Sequence, residues 1–276
     1  MNYRHAFHAG NSADVVKHAL LIALVRALQI KDSALTLIDT HAGGGLYDLA
    51  GDAAQRTGEA AQGVVRAFAD ANPLLDDYRA AVRAVNAGEE PLLYPGSPRI
   101  LAQLLRPQDA LVLNEKHPED AQALRAAMRG TAAAVHQRDA YELWLAMVPT
   151  KTPRGVVVVD PPYEQTDERD RIANALAAAH RKWAHGVTVI WFPLKDRAAH
   201  ARWRDKLTRL GIPKFLGIEH WLYDADQPGI YNGAGLFIVN PPYAFTQDLL
   251  PLLEALRTAL APEGHKGTLK AEWLVR

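Results

Sequence analysis

The chain of 276 residues contains no cysteine and only three methionines. Without cysteine there is no disulfide framework, no thiolate metal site and no thiol nucleophile. No stretch approaches the apolar length of a membrane span, and the opening Met1-Asn2-Tyr3-Arg4-His5 has no apolar run behind a basic patch. A cytoplasmic protein without membrane attachment is expected. A surplus of charge of either sign is missing too: 31 basic and 31 acidic residues leave a formal net charge of zero. Nucleic-acid partners need positive surface, so this balance counts against them unless the charge is segregated. It is segregated. Lys195, Arg197, Arg202, Arg204, Lys206, Arg209 and Lys214 stand against only Asp196 and Asp205, whereas residues 46–90 carry eight acids and four arginines. The basic stretch reads as an amphipathic helix whose charged face is either solvated or bound to nucleic acid. His5, His8, His18 and His41 lack the cysteines or clustered acids of a zinc site, so no metal is expected.

What is present is a regular alternation. Apolar strands are expected at 35–39, 110–114, 155–159, 187–192, 215–223 and 236–239, with a further one near Val135 and a short last one at 268–275. Between them lie helical patterns, at 118–128 and 169–183 among others. A first helix at 13–29 has Val15, Val16, Ala19, Leu20 and Ala23 at helical spacing and Ser12 as its expected N-cap. Such alternation argues for an α/β fold, a mostly parallel sheet with helices on both faces.

Four of the strands end in acids. The first runs into Asp39-Thr40-His41-Ala42-Gly43-Gly44-Gly45, where glycines let the backbone approach a nucleoside closely. The next ends in Asn114-Glu115, and a carboxylate at that position can accept hydrogen bonds from ribose hydroxyls. The third leads to Asp139-Ala140, where the acid can face the exocyclic amine of a cofactor adenine. The run Val156–Val159 leads to Asp160-Pro161-Pro162-Tyr163. This tetrapeptide suits methyl transfer to a planar exocyclic amine. Such an amine is a poor nucleophile because its lone pair is delocalised into the ring. The Asp160 carboxylate and the Pro161 carbonyl can grip its two hydrogens and expose the lone pair, and Tyr163 offers a ring for the base to stack on. Some 76 positions separate Asp39 from Glu115, against about 20 in a plain nucleotide-binding unit, so roughly fifty residues are inserted after the first strand. Their alanine-rich periodic text suggests a small helical subdomain that caps the cofactor or holds RNA.

These blocks are similar to the bacterial large-subunit ribosomal RNA adenine-N6 methyltransferases of the RlmJ type. The resemblance rests on Tyr3-Arg4-His5-Ala6-Phe7-His8-Ala9-Gly10-Asn11 with Asp14 and Lys17-His18, on Asp39-Thr40-His41-Ala42-Gly43, on Tyr94-Pro95-Gly96-Ser97-Pro98, on Glu115 with His117-Pro118, and on Asp160-Pro161-Pro162-Tyr163. It spans essentially the whole chain, and the N-terminal block is its most specific part. It implies a Rossmann-like S-adenosylmethionine methyltransferase domain formed by residues 1–45 and 96–276, with residues 46–95 as an inserted helical subdomain. It also implies that Lys17, His18, Asp39, His41, Gly43, Ser97, Glu115, Asp139, Ala140 and Asp160 line the S-adenosyl-L-methionine site. Asp160, Pro161 and Tyr163 would be catalytic, and Tyr3, His5 and Tyr163 would meet the RNA. Ala140 departs from the glycine many relatives carry. A second tetrapeptide, Asn240-Pro241-Pro242-Tyr243, follows a late strand that runs antiparallel in such sheets, and is expected to be structural. Large-subunit ribosomal RNA is the implied partner of a monomer. DNA adenine-N6 methylation and protein glutamine-N5 methylation remain alternatives, the second disfavoured because its tetrapeptide usually begins with Asn.

Overall fold

The computed structural model describes residues 4–227 and 231–276; Tyr3 therefore lies outside the described residues. A first helix, α1 (Ser12–Gln29), leads to strand β1 (Leu35–Asp39). A two-stranded ribbon of β2 (Leu46–Asp48) and β3 (Leu93–Pro95) then brackets the helices α2 (Asp52–Thr57), α3 (Glu59–Gln62), α4 (Val64–Ala69) and α5 (Asp76–Arg83). Strands and helices alternate from there: α6 (Ser97–Leu104), β4 (Ala110–Asn114), α7 (Pro118–Ala127), β5 (Ala134–His136), α8 (Ala140–Met147) and β6 (Arg154–Val159). After these come α9 (Glu168–Lys182), β7 (Val187–Leu194), α10 (Arg197–Thr208), β8 (Phe215–Trp221), β9 (Gly233–Val239), α11 (Tyr243–Leu260) and β10 (Thr268–Val275).

Eight strands form one sheet in the order β10-β8-β9-β7-β6-β1-β4-β5. From β5 to β7 all neighbours are parallel; β9 is antiparallel to both β7 and β8. The strand residues alternate between two cores, as a period of two requires. Leu35, Leu37, Val156 and Val158 face the side covered by α1, α6 and α11, whereas Ile38, Val157 and Val159 face α8, α9 and α10. Because both faces are buried, the strands read as continuous apolar runs rather than alternating ones.

Three details differ from the sequence reading. The cap of α1 is Asn11, whose Oδ1 accepts from the Asp14 backbone N–H at 2.9 Å, so Ser12 is the first helical residue. Strand β7 runs two residues further than its apolar run, because its antiparallel pairing with β9 continues to Leu194. The apolar residues of the insertion, among them Val64, Phe68, Tyr78 and Val82, join the same core as α1 and α11 rather than forming one of their own.

The second tetrapeptide is explained by direction. Register pairs Val239 with Thr188 at the start of β7, so Asn240 emerges at the edge opposite Asp160. Its side-chain amide donates to the Ala184 and Gly186 carbonyls at 2.8 and 2.9 Å, which makes it a brace for the turn into β7.

Candidate active site

Parallel register gathers the acids. Asp39 pairs with Leu113 of β4 and with Val158 of β6, Asn114 pairs with His136 of β5, and Val159 pairs with Ile190 of β7. The residues that follow these strands must emerge side by side at their C-terminal edge, where open α/β sheets bind ligands. A cavity of about 850 Å³ opens there, and His5, Lys17, His18, His41, Gly43, Ser97, Glu115, Asp139, Ala140, Asp160 and Pro161 all line it. Asn114 ties the strand ends together: its buried amide donates to the Thr40 and Arg138 carbonyls and accepts from the Arg138 N–H. Asn114 was not among the expected site residues; a polar amide at the end of an apolar strand was the available signal.

On the nucleoside side, Gly43 adopts φ +60°, and a Cβ there would lie 2.3 Å from the Tyr47 hydroxyl. Its N–H donates to Glu115 Oε2 at 2.9 Å, and the His117 N–H donates to Oε1 at 2.8 Å. A carboxylate accepts about four hydrogen bonds, so Glu115 keeps capacity for a ligand. Burial pushes its pKa up against these two donors. Asp39 is fully buried and accepts from the Ser97 hydroxyl at 2.6 Å and the His41 N–H at 3.2 Å; burial raises its pKa to about 6.

Two histidines line the cavity with one ring nitrogen engaged. The Thr40 hydroxyl donates to the Val158 carbonyl at 2.8 Å, so it must accept from His41 Nδ1, also at 2.8 Å. That leaves His41 Nε2 as an acceptor on a ring that burial holds neutral, with its pKa lowered to about 3. His18 Nδ1 sits 2.7 Å from the Tyr94 hydroxyl, which in turn receives the Tyr78 hydroxyl at 3.5 Å. Nδ1 is thereby engaged, and the other ring nitrogen is Nε2. This atom is buried without a partner among the described residues, on a side chain that lines the cavity.

Asp139 is placed differently from its expected role. It caps α8, with Oδ1 accepting from the Tyr141 and Glu142 N–H groups. Oδ2 accepts from Lys116 Nζ at 3.2 Å and from Arg171 at 3.0 Å. Burial opposes its charge, but Lys116 and Arg171 hold its pKa below the usual carboxylate range. Asp139 lines the cavity with four donors already on its carboxylate, so a cofactor amine facing it would share or displace one of them.

The reacting end is built around Lys17. Its ammonium lies 2.6 Å from Asp160 Oδ2 and 2.9 Å from Asp14 Oδ1, with both carboxylates largely buried. Burial disfavours its charge, but the two carboxylates outweigh burial and raise its pKa. Asp14 also accepts from His5 Nε2 at 3.0 Å and from the Gly10 N–H at 2.9 Å. Burial would raise its pKa; His5 and Lys17 instead hold it well below the usual range. Asp14 was not among the expected site residues, although an acid three positions before Lys17 on one helix face was a readable signal.

Tyr163 does not line the cavity. It adopts φ +55°, its ring packs against the core under α9 and α10, and its hydroxyl donates to the Trp191 carbonyl at 2.6 Å. Burial pushes its pKa well up. Among the rings that line the cavity, Trp191 is the one next to Asp160 across the β6–β7 pairing, with Lys17 Nζ 5.9 Å from its centroid. Beyond Trp191 the wall continues to Lys195, the first residue of the basic stretch. Of that stretch, Arg197 pairs with Asp226, Arg204 with Glu272 and Lys206 with Asp170, so much of its charge is balanced within the chain.

No helix among the described residues is long and apolar enough to cross a membrane. Residues 32–275 match the family model described as "Ribosomal RNA large subunit methyltransferase D, RlmJ". Proteins named "Ribosomal RNA large subunit methyltransferase J" from Escherichia coli (strain K12) and Haemophilus influenzae are each 35% identical to the chain. The first alignment covers 100% of this chain and 99% of the relative, the second 99% of each. A crystal structure of a Legionella pneumophila protein, 31% identical, superposes with a TM-score of 0.86 over 96% of this chain and 98% of the other. Family model, full-length relatives and fold agree, and the chain belongs to the RlmJ family of ribosomal RNA large subunit methyltransferases.

Proposed function

We propose that the chain methylates the exocyclic N6 of an adenine in large-subunit ribosomal RNA, with S-adenosyl-L-methionine as methyl donor. The observation that carries this reading is Asp160, set at the cavity wall with one carboxylate oxygen held by Lys17 at 2.6 Å. The residues fit the cofactor. The cavity volume is that of a small-molecule site, Glu115 retains acceptor capacity for ribose hydroxyls, and the partnerless Nε2 of His18 is a buried polar atom that a ligand can engage. Ala140, the first helical residue after the Asp139 cap, adds a backbone N–H of the kind a helix start leaves unpaired. When bound, S-adenosylmethionine supplies an electrophilic methyl group.

The chain's own residues do the rest. Asp160 Oδ1 and the Pro161 carbonyl accept the two amine hydrogens, which localises the nitrogen lone pair. Lys17 donates to Oδ2 and so leaves Oδ1 turned to the cavity as the acceptor. As the new N–C bond forms, the amine sheds one proton to Asp160 Oδ1. Trp191 and Pro162 bound the space left for the base. Positioning of this kind suffices for a direct displacement.

The test is transfer of labelled methyl from S-adenosylmethionine to purified large-subunit ribosomal RNA, with nucleoside analysis of the product. Label in N6-methyladenosine that disappears with Asp160→Ala, while calorimetry still shows S-adenosylhomocysteine binding, is the expected result. Label in DNA or protein but not RNA would refute the substrate; full activity in Asp160→Ala would refute the mechanism.

A further inference from the structure

The insertion grips the N-terminal turn that carries the reacting end. Glu59, the first residue of α3, uses both carboxylate oxygens for this: His8 Nδ1 lies 2.9 Å from Oε1, and Asn11 Nδ2 donates to Oε2 at 3.0 Å. Around it, the Thr57 hydroxyl donates to the Phe7 carbonyl and the Val64 N–H donates to the Gly10 carbonyl at 2.7 Å. The two backbones are so close that a Cβ on Gly63 would lie 2.1 Å from the Gly10 oxygen.

The Asn11 contact has a directional consequence. A carboxylate only accepts, so Glu59 must face the amide nitrogen of Asn11. Oδ1 of Asn11 is thereby turned to the Asp14 N–H, where it caps α1. The same turn delivers the Gly10 N–H to Asp14 Oδ2, and Asp14 holds Lys17 against Asp160. Glu59 lies some fifty residues from this turn in sequence, and its contact calls for the same orientation of the Asn11 amide as the helix cap does, so the two bonds reinforce each other.

Resting on the proposed reaction, we infer that Glu59 is a positioning residue. By clasping His8 and Asn11, it fixes the turn that aligns Asp14 and Lys17 with Asp160. The insertion is thus a brace for the reacting end.

The experiment compares Glu59→Ala, Glu59→Asp and Glu59→Gln in the full chain. Glutamine keeps an acceptor for Asn11 and a donor for an unprotonated His8 Nδ1, at the original reach. Aspartate keeps the charge but is one methylene short. Turnover in Glu59→Ala is expected to fall roughly 10- to 100-fold with little change in the KM for S-adenosylmethionine, since small misplacements cost rate before binding. Glu59→Gln recovers most of the loss and Glu59→Asp does not. Hydrogen exchange of the ligand-free protein should speed up across residues 8–17 while β1 and β6 stay protected, a pattern that general destabilisation does not give.

Unchanged turnover in Glu59→Ala would overturn the inference, as would exchange that rises uniformly through the sheet. If alanine prevents folding, the aspartate and glutamine variants still decide: an active aspartate with an inactive glutamine would mean that charge matters and geometry does not. Should the wild type methylate no ribosomal RNA, the proposed reaction fails, while the exchange pattern still reports on the clasp.

Discussion

Replacing Lys17 by methionine keeps an unbranched apolar stem beside Trp191 and removes the ammonium with its charge and its hydrogen bonds. In the native protein that charge lies between Asp14 and Asp160, 2.9 and 2.6 Å away, on side chains only 3% and 15% exposed. Removing one partner of a buried ion pair costs about 3–5 kcal/mol when the other stays charged. The orphaned carboxylate has an escape, which is to bind a proton. For a carboxyl with an ordinary pKa near 4, that costs roughly 1.4 kcal/mol at pH 5 but more than about 5 kcal/mol at pH 8. The penalty of Lys17→Met should therefore be about 3–5 kcal/mol at pH 8 and capped near 1–2 kcal/mol at pH 5. The sign follows from linkage: in the variant, a carboxyl has a folded pKa above its unfolded one, so stability is lost as pH rises. Urea denaturation of wild type and variant at the two pH values, followed by circular dichroism, measures both numbers. An equal loss at both, or a loss under about 1 kcal/mol at pH 8, would mean that Lys17 does not neutralise this pair.

Two further perturbations probe the surroundings. Tyr163→Phe removes the hydroxyl that donates to the Trp191 carbonyl; a loss of about 1 kcal/mol in urea denaturation is expected, with the methyl-transfer rate little changed. A collapse of the rate without loss of stability would place the hydroxyl in the chemistry instead. His220 is 2% exposed on β8, and burial lowers its pKa to about 4. A depressed histidine contributes stability that is present above its unfolded value near 6.5 and lost as pH falls through the folded one. His220→Gln should therefore reduce the drop in wild-type stability between pH 7 and pH 4 by roughly 3 kcal/mol. An identical drop in the variant would show that His220 titrates normally.

The strands were legible because most are buried on both faces and read as unbroken apolar runs, as in Val156–Val159. Their ends were legible because chemistry there needs particular residue types: acid after strand in Asp39, Glu115 and Asp160, and glycine where a backbone turns with positive φ, as at Gly43. The antiparallel course of β9, and so the structural role of Asn240, was what the family resemblance implied. The direction of side chains was not legible. Tyr163 belongs to the right tetrapeptide, yet its backbone twist sends the ring into the core and leaves the cavity wall to Trp191.

The sequence by itself determined the layered α/β architecture and the ligand-binding edge, since periodicity and strand ends are local properties of the chain, while Lys17, His18 and Ser97 were reached only through the family resemblance. Only the tertiary structure decided how those residues share their hydrogen bonds. Asp139 spends its acceptors on its own helix, Lys116 and Arg171. Lys17 serves two carboxylates, 3 and 143 positions away. Glu59 reaches back 48 and 51 positions to hold the N-terminal turn. A donor pairs with whatever acceptor the packing brings within about 3 Å, and for residues so far apart in sequence that proximity exists only once the sheet has set its register.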